Sequence, residues 1–371
     1  EHQALLIVGE GAYHRKEWDT AKARYRDALR YHPNYANAHN GLGLAALGQG
    51  KLREALDHYN RAIEIVPNHR IATYNKGIVF EKMSAIDSAI VAYRASFRQN
   101  HAAPYVNLGS IYRNQGKIDS AIAVYGKAAA AVIPAPEAYY NLGAIHLERR
   151  EFPEAGEAYL RFLNLWPDKD SVRAAAKEGL SQAYSGYGVQ LEMRGAADSA
   201  AVSYRRALEI DPQEPINWFN LGNVLRRQSR LEEAVSAYER ALELDPQHLD
   251  SHNNQGMSYR DLGEDRKALE IYRQAKTFAP VNATLNFNLG QVLMVLGEIE
   301  EATEALDLFR THWEGDPTLI HYYMGNVYAQ SGMPDRARSE YRLFLETWEG
   351  DEKIRKSAEG ILRSIMLDGT P

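Results

Sequence analysis

The chain has 371 residues, 45% of them hydrophobic and 25% charged, a balance that suits a folded protein long enough for two or more domains. Its net charge of -6 gives no global electrostatic case for nucleic acid or an anionic membrane surface. Cysteine is absent, which excludes disulfides, zinc-thiolate sites and cysteine nucleophiles, and no apolar run approaches the length needed to cross a bilayer.

The first predicted helix pair is built around Gly9, Ala21 and Tyr25 and closes at Pro33. The second repeats it 34 residues on, with Gly43, Ala55, Tyr59 and Pro67. Gly77, Ala89 and Tyr93 mark the third, Gly109, Ala121 and Tyr125 the fourth, and Gly143, Ala155, Tyr159 and Pro167 the fifth. The next glycine, Gly188, comes after 45 residues, an excess of 11. That extra segment, about 170–180, is alanine-rich and reads as helix. The period then resumes at Gly188, Ala200, Tyr204 and Pro212, and at Gly222, Ala234, Tyr238 and Pro246. It continues with Gly256, Ala268, Tyr272 and Pro280, then Gly290, Ala302 and Leu306, and ends with Gly325, Ala337 and Tyr341.

Each unit predicts two amphipathic helices. Leu221, Val224 and Leu225 share one face in the first helix of a pair, and Leu231, Ala234, Val235, Tyr238, Ala241 and Leu242 share one in the second. The motif glycine and alanine are small because the two helices must pass closely there, and the tyrosine fills the groove beside them. A bulky residue at such a position, as in Gly256→Trp, is expected to loosen the two units that meet there and to broaden unfolding. Gly50, Gly116, Gly195, Gly263, Gly297 and Gly332 fall between paired helices, where a left-handed residue ends the first of them. The prolines prevent the second helix from continuing.

The pattern resembles the tetratricopeptide repeat over nearly the whole chain, in about ten copies. The resemblance implies an all-α fold, a right-handed superhelical solenoid of antiparallel helix pairs in which stacked neighbours complete each other's core. Tyr159, Phe162, Leu163, Trp166, Arg173, Ala176 and Leu180 also line up with Tyr341, Phe344, Leu345, Trp348, Arg355, Ala358 and Leu362, at a constant offset of 182. We therefore expect two domains, 1–183 and 184–371, each of five units and an extra helix, with Lys353, Arg355, Lys356 and Glu359 giving the last helix a polar face. A plain insertion in one continuous superhelix remains the alternative.

In this family the first helices line a concave groove. With the motif glycine counted as position eight, positions two, five, six, nine and twelve face it. Position six is asparagine at Asn75, Asn107, Asn141, Asn220, Asn254 and Asn288. Such amides can pair with the backbone of an extended peptide, and a similar ladder serves the repeat arm of O-linked N-acetylglucosamine transferases. The alternative is that they bond to neighbouring backbone. Asn220, Asn223 and Arg226 would lie beside Asn253, Asn254 and Arg260, and arginine's two-point grip points to an acidic or C-terminal segment as ligand. Tyr74, Tyr140, Phe219, Phe287 and Tyr322 at position five are candidate aromatic anchors, or rings buried between adjacent helices. No three consecutive units supply the lysine and asparagine set of the clamp for a Glu-Glu-Val-Asp tail.

Other motifs carry less. Gly41, Gly43 and Gly48 mimic a phosphate loop, but no strand precedes them and the repeat explains them. His248 and His252 are spaced as zinc ligands can be, yet lack a third ligand and read as surface histidines. Asn282-Ala283-Thr284 matches a glycosylation acceptor, a triplet common by chance. Arg226, Arg227 and Arg230 make too short a basic stretch for a nucleic-acid site. No catalytic residues, metal or cofactor are expected, and no direct membrane insertion.

The expected function is a non-enzymatic scaffold or adaptor that holds a partner polypeptide in its groove. One alternative is a structural or assembly subunit of a larger complex, in a bacterial envelope for example. Another is the regulatory arm of an enzyme whose catalytic part lies elsewhere. The start at Glu1 instead of Met, together with the missing cysteine, leans towards an exported or periplasmic protein over a cytoplasmic one.

Overall fold

The computed structural model describes residues 1–97, 101–168 and 170–368. Among them are 21 α-helices and no strands. The chain divides into two compact units, Glu1–Ala183 and Tyr184–Pro371, and the division falls inside one helix.

The first unit pairs α1 (His2–His14) with α2 (Trp18–Tyr31), α3 (Ala36–Gly48) with α4 (Leu52–Ile65), and α5 (Arg70–Lys82) with α6 (Ile86–Ala95). It continues with α7 (Ala103–Asn114) and α8 (Ile118–Ala129), then α9 (Pro136–Glu148) and α10 (Phe152–Leu165), and reaches α11 (Ser171–Met193). In the second unit, the C-terminal part of α11 pairs with α12 (Ala197–Ile210). There follow α13 (Pro215–Arg227) with α14 (Leu231–Leu244), α15 (Leu249–Asp261) with α16 (Asp265–Lys276), α17 (Ala283–Leu296) with α18 (Ile299–His312), and α19 (Pro317–Gln330) with α20 (Pro334–Thr347). The last helix is α21 (Glu352–Asp368).

The motif glycine has a direct physical cause. A Cβ at Gly43, Gly77, Gly109 or Gly222 would stand 2.5, 2.6, 2.5 or 2.6 Å from the ring of Tyr59, Tyr93, Tyr125 or Tyr238 on the partner helix. No side chain fits there, so the ring lies flat on bare backbone. These tyrosines are the largest fully buried side chains, and Tyr59, Tyr93, Tyr125, Tyr204, Tyr238, Tyr272 and Tyr341 are 0% exposed. Their hydroxyls run through to the first helix: Tyr93 donates to Glu81 at 2.7 Å, Tyr238 to Asn223 at 2.8 Å and Tyr341 to Asn326 at 2.6 Å. The Tyr59 hydroxyl is buried with no partner among the described residues. In the ninth pair Leu306 takes the ring's place against Gly290.

Every first helix closes on a left-handed residue. Six are the glycines predicted, with φ from 69° to 78°. The other four are Lys16, Ser84, Arg150 and Ser229, at φ between 58° and 61°, where an L side chain is strained. Ser84→Gly and Ser229→Gly should each stabilise the protein by about 1 kcal/mol, read as a higher urea midpoint with an unchanged slope. A lower midpoint for both would refute the strain argument.

The closing helices repeat one device. Arg173 in α11 donates to the carbonyls of Leu163 and Trp166, and Arg355 in α21 donates to those of Leu345 and Trp348. Each guanidinium thereby satisfies the open C-terminal carbonyls of the preceding helix.

Candidate partner-binding surface on the first helices

Within each unit the first helices approach each other directly: α1 meets α3 and α3 meets α5, while α13 meets α15 and α15 meets α17. Successive second helices make no comparable approach among the described residues. The first helices therefore lie on the inside of the bend in each unit, and the residues facing inward from them form the candidate surface.

Most of the asparagine ladder is spent on joining neighbours. Asn75 donates to Asn40 of the previous repeat at 3.0 Å, Asn107 to Tyr74 at 3.3 Å and to Tyr93 at 3.2 Å, and Asn288 to Asn253 at 3.4 Å. For these three the acceptor is the position-five side chain of the preceding pair. Phe219 precedes Asn254 and offers no acceptor, so Asn254 turns to Asn223 at 2.7 Å instead. Asn141 bonds within its own helix to the Glu137 carbonyl at 2.8 Å and accepts from Arg113 at 3.5 Å. Asn220 has no hydrogen-bond partner among the described residues and is half-buried.

The position-five aromatics are all half-buried, against their own pair or the element that follows it. Tyr74 meets His101 edge-on with ring centroids 5.3 Å apart, and burial raises its phenol pKa. Tyr140 packs on Phe162 at 5.4 Å, Phe219 on His248 at 4.8 Å and Phe287 on Phe309 at 4.8 Å. Tyr322 packs on Phe344 at 5.3 Å and reaches Ser357 at 3.2 Å.

A polar seam remains across α13, α15 and α17. Arg226 meets Asp261 at 3.4 Å, and its Nε is buried without a partner. Arg260 donates to the neutral amide of Gln291 and makes no ion pair among the described residues. The rest of the basic stretch is neutralised: Arg227 pairs with Glu192, and Arg230 with Glu233 at 2.6 Å.

The histidines correct the reading made from sequence. His252 is only 5% exposed and faces the Pro246 carbonyl at 3.0 Å, and burial lowers its pKa. The His248 Nδ1 caps α15 by accepting from the Ser251 backbone at 3.2 Å. Both are structural. Among the described residues no three histidine, aspartate or glutamate side chains are grouped to hold a metal.

Sequence reasoning missed a second set of links between repeats. Gln49 donates to Asp19, Arg149 to Asp119 and Gln228 to Asp198, each at 2.8 Å. All three follow one register relative to the motif glycines, which is the signal that could have found them.

Models of the tetratricopeptide repeat match residues 9–70, 47–104, 106–170 and 215–280. The chain belongs to the tetratricopeptide repeat family. Beyond the matched residues the repeat geometry continues through the Gly290–Leu306 and Gly325–Tyr341 contacts.

Among curated relatives, subunit 3 of the anaphase-promoting complex of Schizosaccharomyces pombe is 29% identical over 90 residues, 24% of this chain and 14% of that protein. The human protein O-mannosyl-transferase TMTC3 is 24% identical over 246 residues, 62% of this chain and 26% of that protein. The repeat array thus spans under a third of these relatives' lengths. Among solved structures, a thermophilic tetratricopeptide repeat protein of Thermus thermophilus is 23% identical with a TM-score of 0.41, over 49% of this chain and 99% of that one. Yeast Tom70 is 14% identical with a TM-score of 0.39, over 99% and 96%. Among the described residues no helix is long and apolar enough to cross a membrane.

Proposed function

We propose that this protein is a non-enzymatic adaptor that binds an extended, acidic segment of a partner protein along the seam of α13, α15 and α17. The observation that carries this is the chemistry left over there. Among the described residues Arg260 donates to a neutral amide and has no ion-pair partner, Arg226 keeps a buried donor without an acceptor, and Asn220 has an unused amide. A carboxylate accepts from all three types of donor. In the first unit Asn75 and Asn107 are spent on Asn40 and Tyr74 and hold repeats together, and Asn141 is spent on the Glu137 carbonyl of its own helix.

Crosslinking with mass spectrometry on the protein from its native source tests this beside the variant Asn220→Ala/Arg226→Ala/Arg260→Ala. Partner crosslinks should cluster on the first helices of the second unit. The variant should keep its helical signal and bind at least about tenfold more weakly, since losing grips on a desolvated charge costs about 1.4 kcal/mol or more. Undiminished binding by a folded variant sinks the seam. The match to a subunit of the anaphase-promoting complex supports a second reading, a subunit built into a larger assembly. Crosslinks confined to second helices, at fixed stoichiometry, would favour it.

A further inference from the structure

On the side away from the first-helix surface, a notch lies between the second helices α4 and α6, floored by α5. The residue four positions before each motif glycine sits at the floor of such notches. In four repeats the chain supplies a tyrosine or tryptophan ring there, and three others carry His39, His252 or His321. Tyr105 stacks on Phe97 with centroids 3.9 Å apart, and Tyr139 donates to the Ala129 carbonyl at 3.0 Å. Tyr184 lies under Arg206 at 5.7 Å, and Trp218 lies under Arg240 at 5.9 Å and donates to the Pro212 carbonyl at 3.0 Å. In the third repeat that residue is Thr73.

The consequence is measurable by comparison with the notch at Trp218. The same register positions line both. Thr73 replaces Trp218, Lys76 replaces Leu221, Phe80 replaces Leu225, Val91 replaces Ser236 and Ala95 replaces Arg240. The notch at Trp218 holds about 380 Å³, and the one at Thr73 about 560 Å³. The wider notch is the one without an aromatic ring at its floor, and it also reaches along Ile63, Pro67, Asn68 and Arg70. The rim is also more apolar, since Val91 is 68% exposed where the other notch has a serine.

The charges at the opening set what else the occupant carries. The Lys76 ammonium lies 5.5 Å from the Phe80 ring centre, and Arg70 donates to the Phe97 carbonyl. Neither has an ion-pair partner among the described residues, and only Asp87 stands against them at the rim. Two cations to one anion favour a negatively charged neighbour.

We propose that this notch is a docking pocket for a tryptophan or tyrosine side chain of a partner protein, carried in an acidic segment. The chain's own rings at the equivalent places show that the notch geometry accepts an aromatic ring beneath a cation. Here the ring must come from outside, and the notch lies on second helices of the first unit, whereas the seam proposed above lies on first helices of the second.

The test uses a fluorescently labelled peptide, acetyl-Glu-Glu-Trp-Glu-Glu-amide, titrated with the full chain by anisotropy. The tryptophan peptide should bind at least about tenfold more tightly than its alanine counterpart. Thr73→Trp restores the chain's own plug. It should melt no lower than the parent and lose about tenfold or more of the affinity. Val91→Glu, at an exposed rim position, should lose affinity with the fold intact, and it carries the test if the tryptophan variant folds poorly. Asn220→Ala/Arg226→Ala/Arg260→Ala should bind this peptide as the parent does. Equal binding of the tryptophan and alanine peptides, no saturation at millimolar concentration, or loss only in the triple variant would each overturn the pocket.

Discussion

Raising the pH above 10 should unfold this protein within a narrow interval, with the helical signal and tyrosine ionisation changing together. Nine repeat tyrosines have phenol pKa values raised by burial above the ordinary 10.0. Tyr25, Tyr159 and Tyr204 are pushed up to about 12, and Tyr59 and Tyr93 higher. The unfolded chain releases these protons near pH 10, while the folded chain keeps them. Above pH 10 the unfolded state therefore binds fewer protons, and stability falls with pH until the folded phenols also ionise. Below pH 10 the full stability is present. Each tyrosine contributes up to about 1.4 kcal/mol per pH unit, and each compact unit has four or five of them. One pH unit can then remove about 5 kcal/mol, the scale of a whole domain's stability. Tyr59→Phe, which loses a hydroxyl without a partner, should move the midpoint upward. Smooth phenolate absorbance growth with the helices intact at pH 12 would show that the rings are reached without unfolding.

The second large effect is at the motif glycine. Gly222→Leu must drive a side chain into the Tyr238 ring, where even a Cβ would sit at 2.6 Å, and should cost about 3 kcal/mol. Tyr238 is 0% exposed, so the ring has no free space to retreat into. The damage should be confined to neighbouring repeats and broaden the chemical unfolding transition. Combined with Tyr238→Ala, the leucine should cost far less than it does alone, because the two groups compete for one volume. Gly126→Leu is the matched control: nothing lies within 4 Å of its Cβ position in α8, so relief of the glycine's helix penalty should raise stability by up to about 1 kcal/mol. Equal effects at both glycines would refute the steric account.

The repeat and its small-residue contact were legible in the sequence because each depends on residues close along the chain. Gly222, Ala234 and Tyr238 fall within one helix pair, and their spacing states their geometry. The left-handed closures were legible only where they are glycine. Ser84 and Ser229 take the same conformation with no compositional sign. The candidate surface was harder to read because its chemistry is decided between repeats. Asn75 and Asn220 look equivalent in sequence, and the preceding repeat presents a polar residue to each, Asn40 and Ser185, yet Asn75 is bonded to Asn40 and Asn220 to nothing among the described residues. His252 misled for a related reason. A polar residue near a helix start reads as exposed, whereas here it fills the place that Trp218 fills one repeat earlier and finds a carbonyl.

The links between repeats have a kinetic consequence. Asn75 to Asn40, Asn107 to Tyr74, Gln49 to Asp19 and Gln228 to Asp198 all join residues between 30 and 35 positions apart. No long loop has to close before any of these bonds forms, so the entropic barrier to each is small and the same along the whole array. During synthesis, each helix pair can settle on the one before it as soon as it leaves the ribosome. A nascent chain of this kind never waits for its far end, and at any moment only the newest repeat has its apolar face open to misassociation.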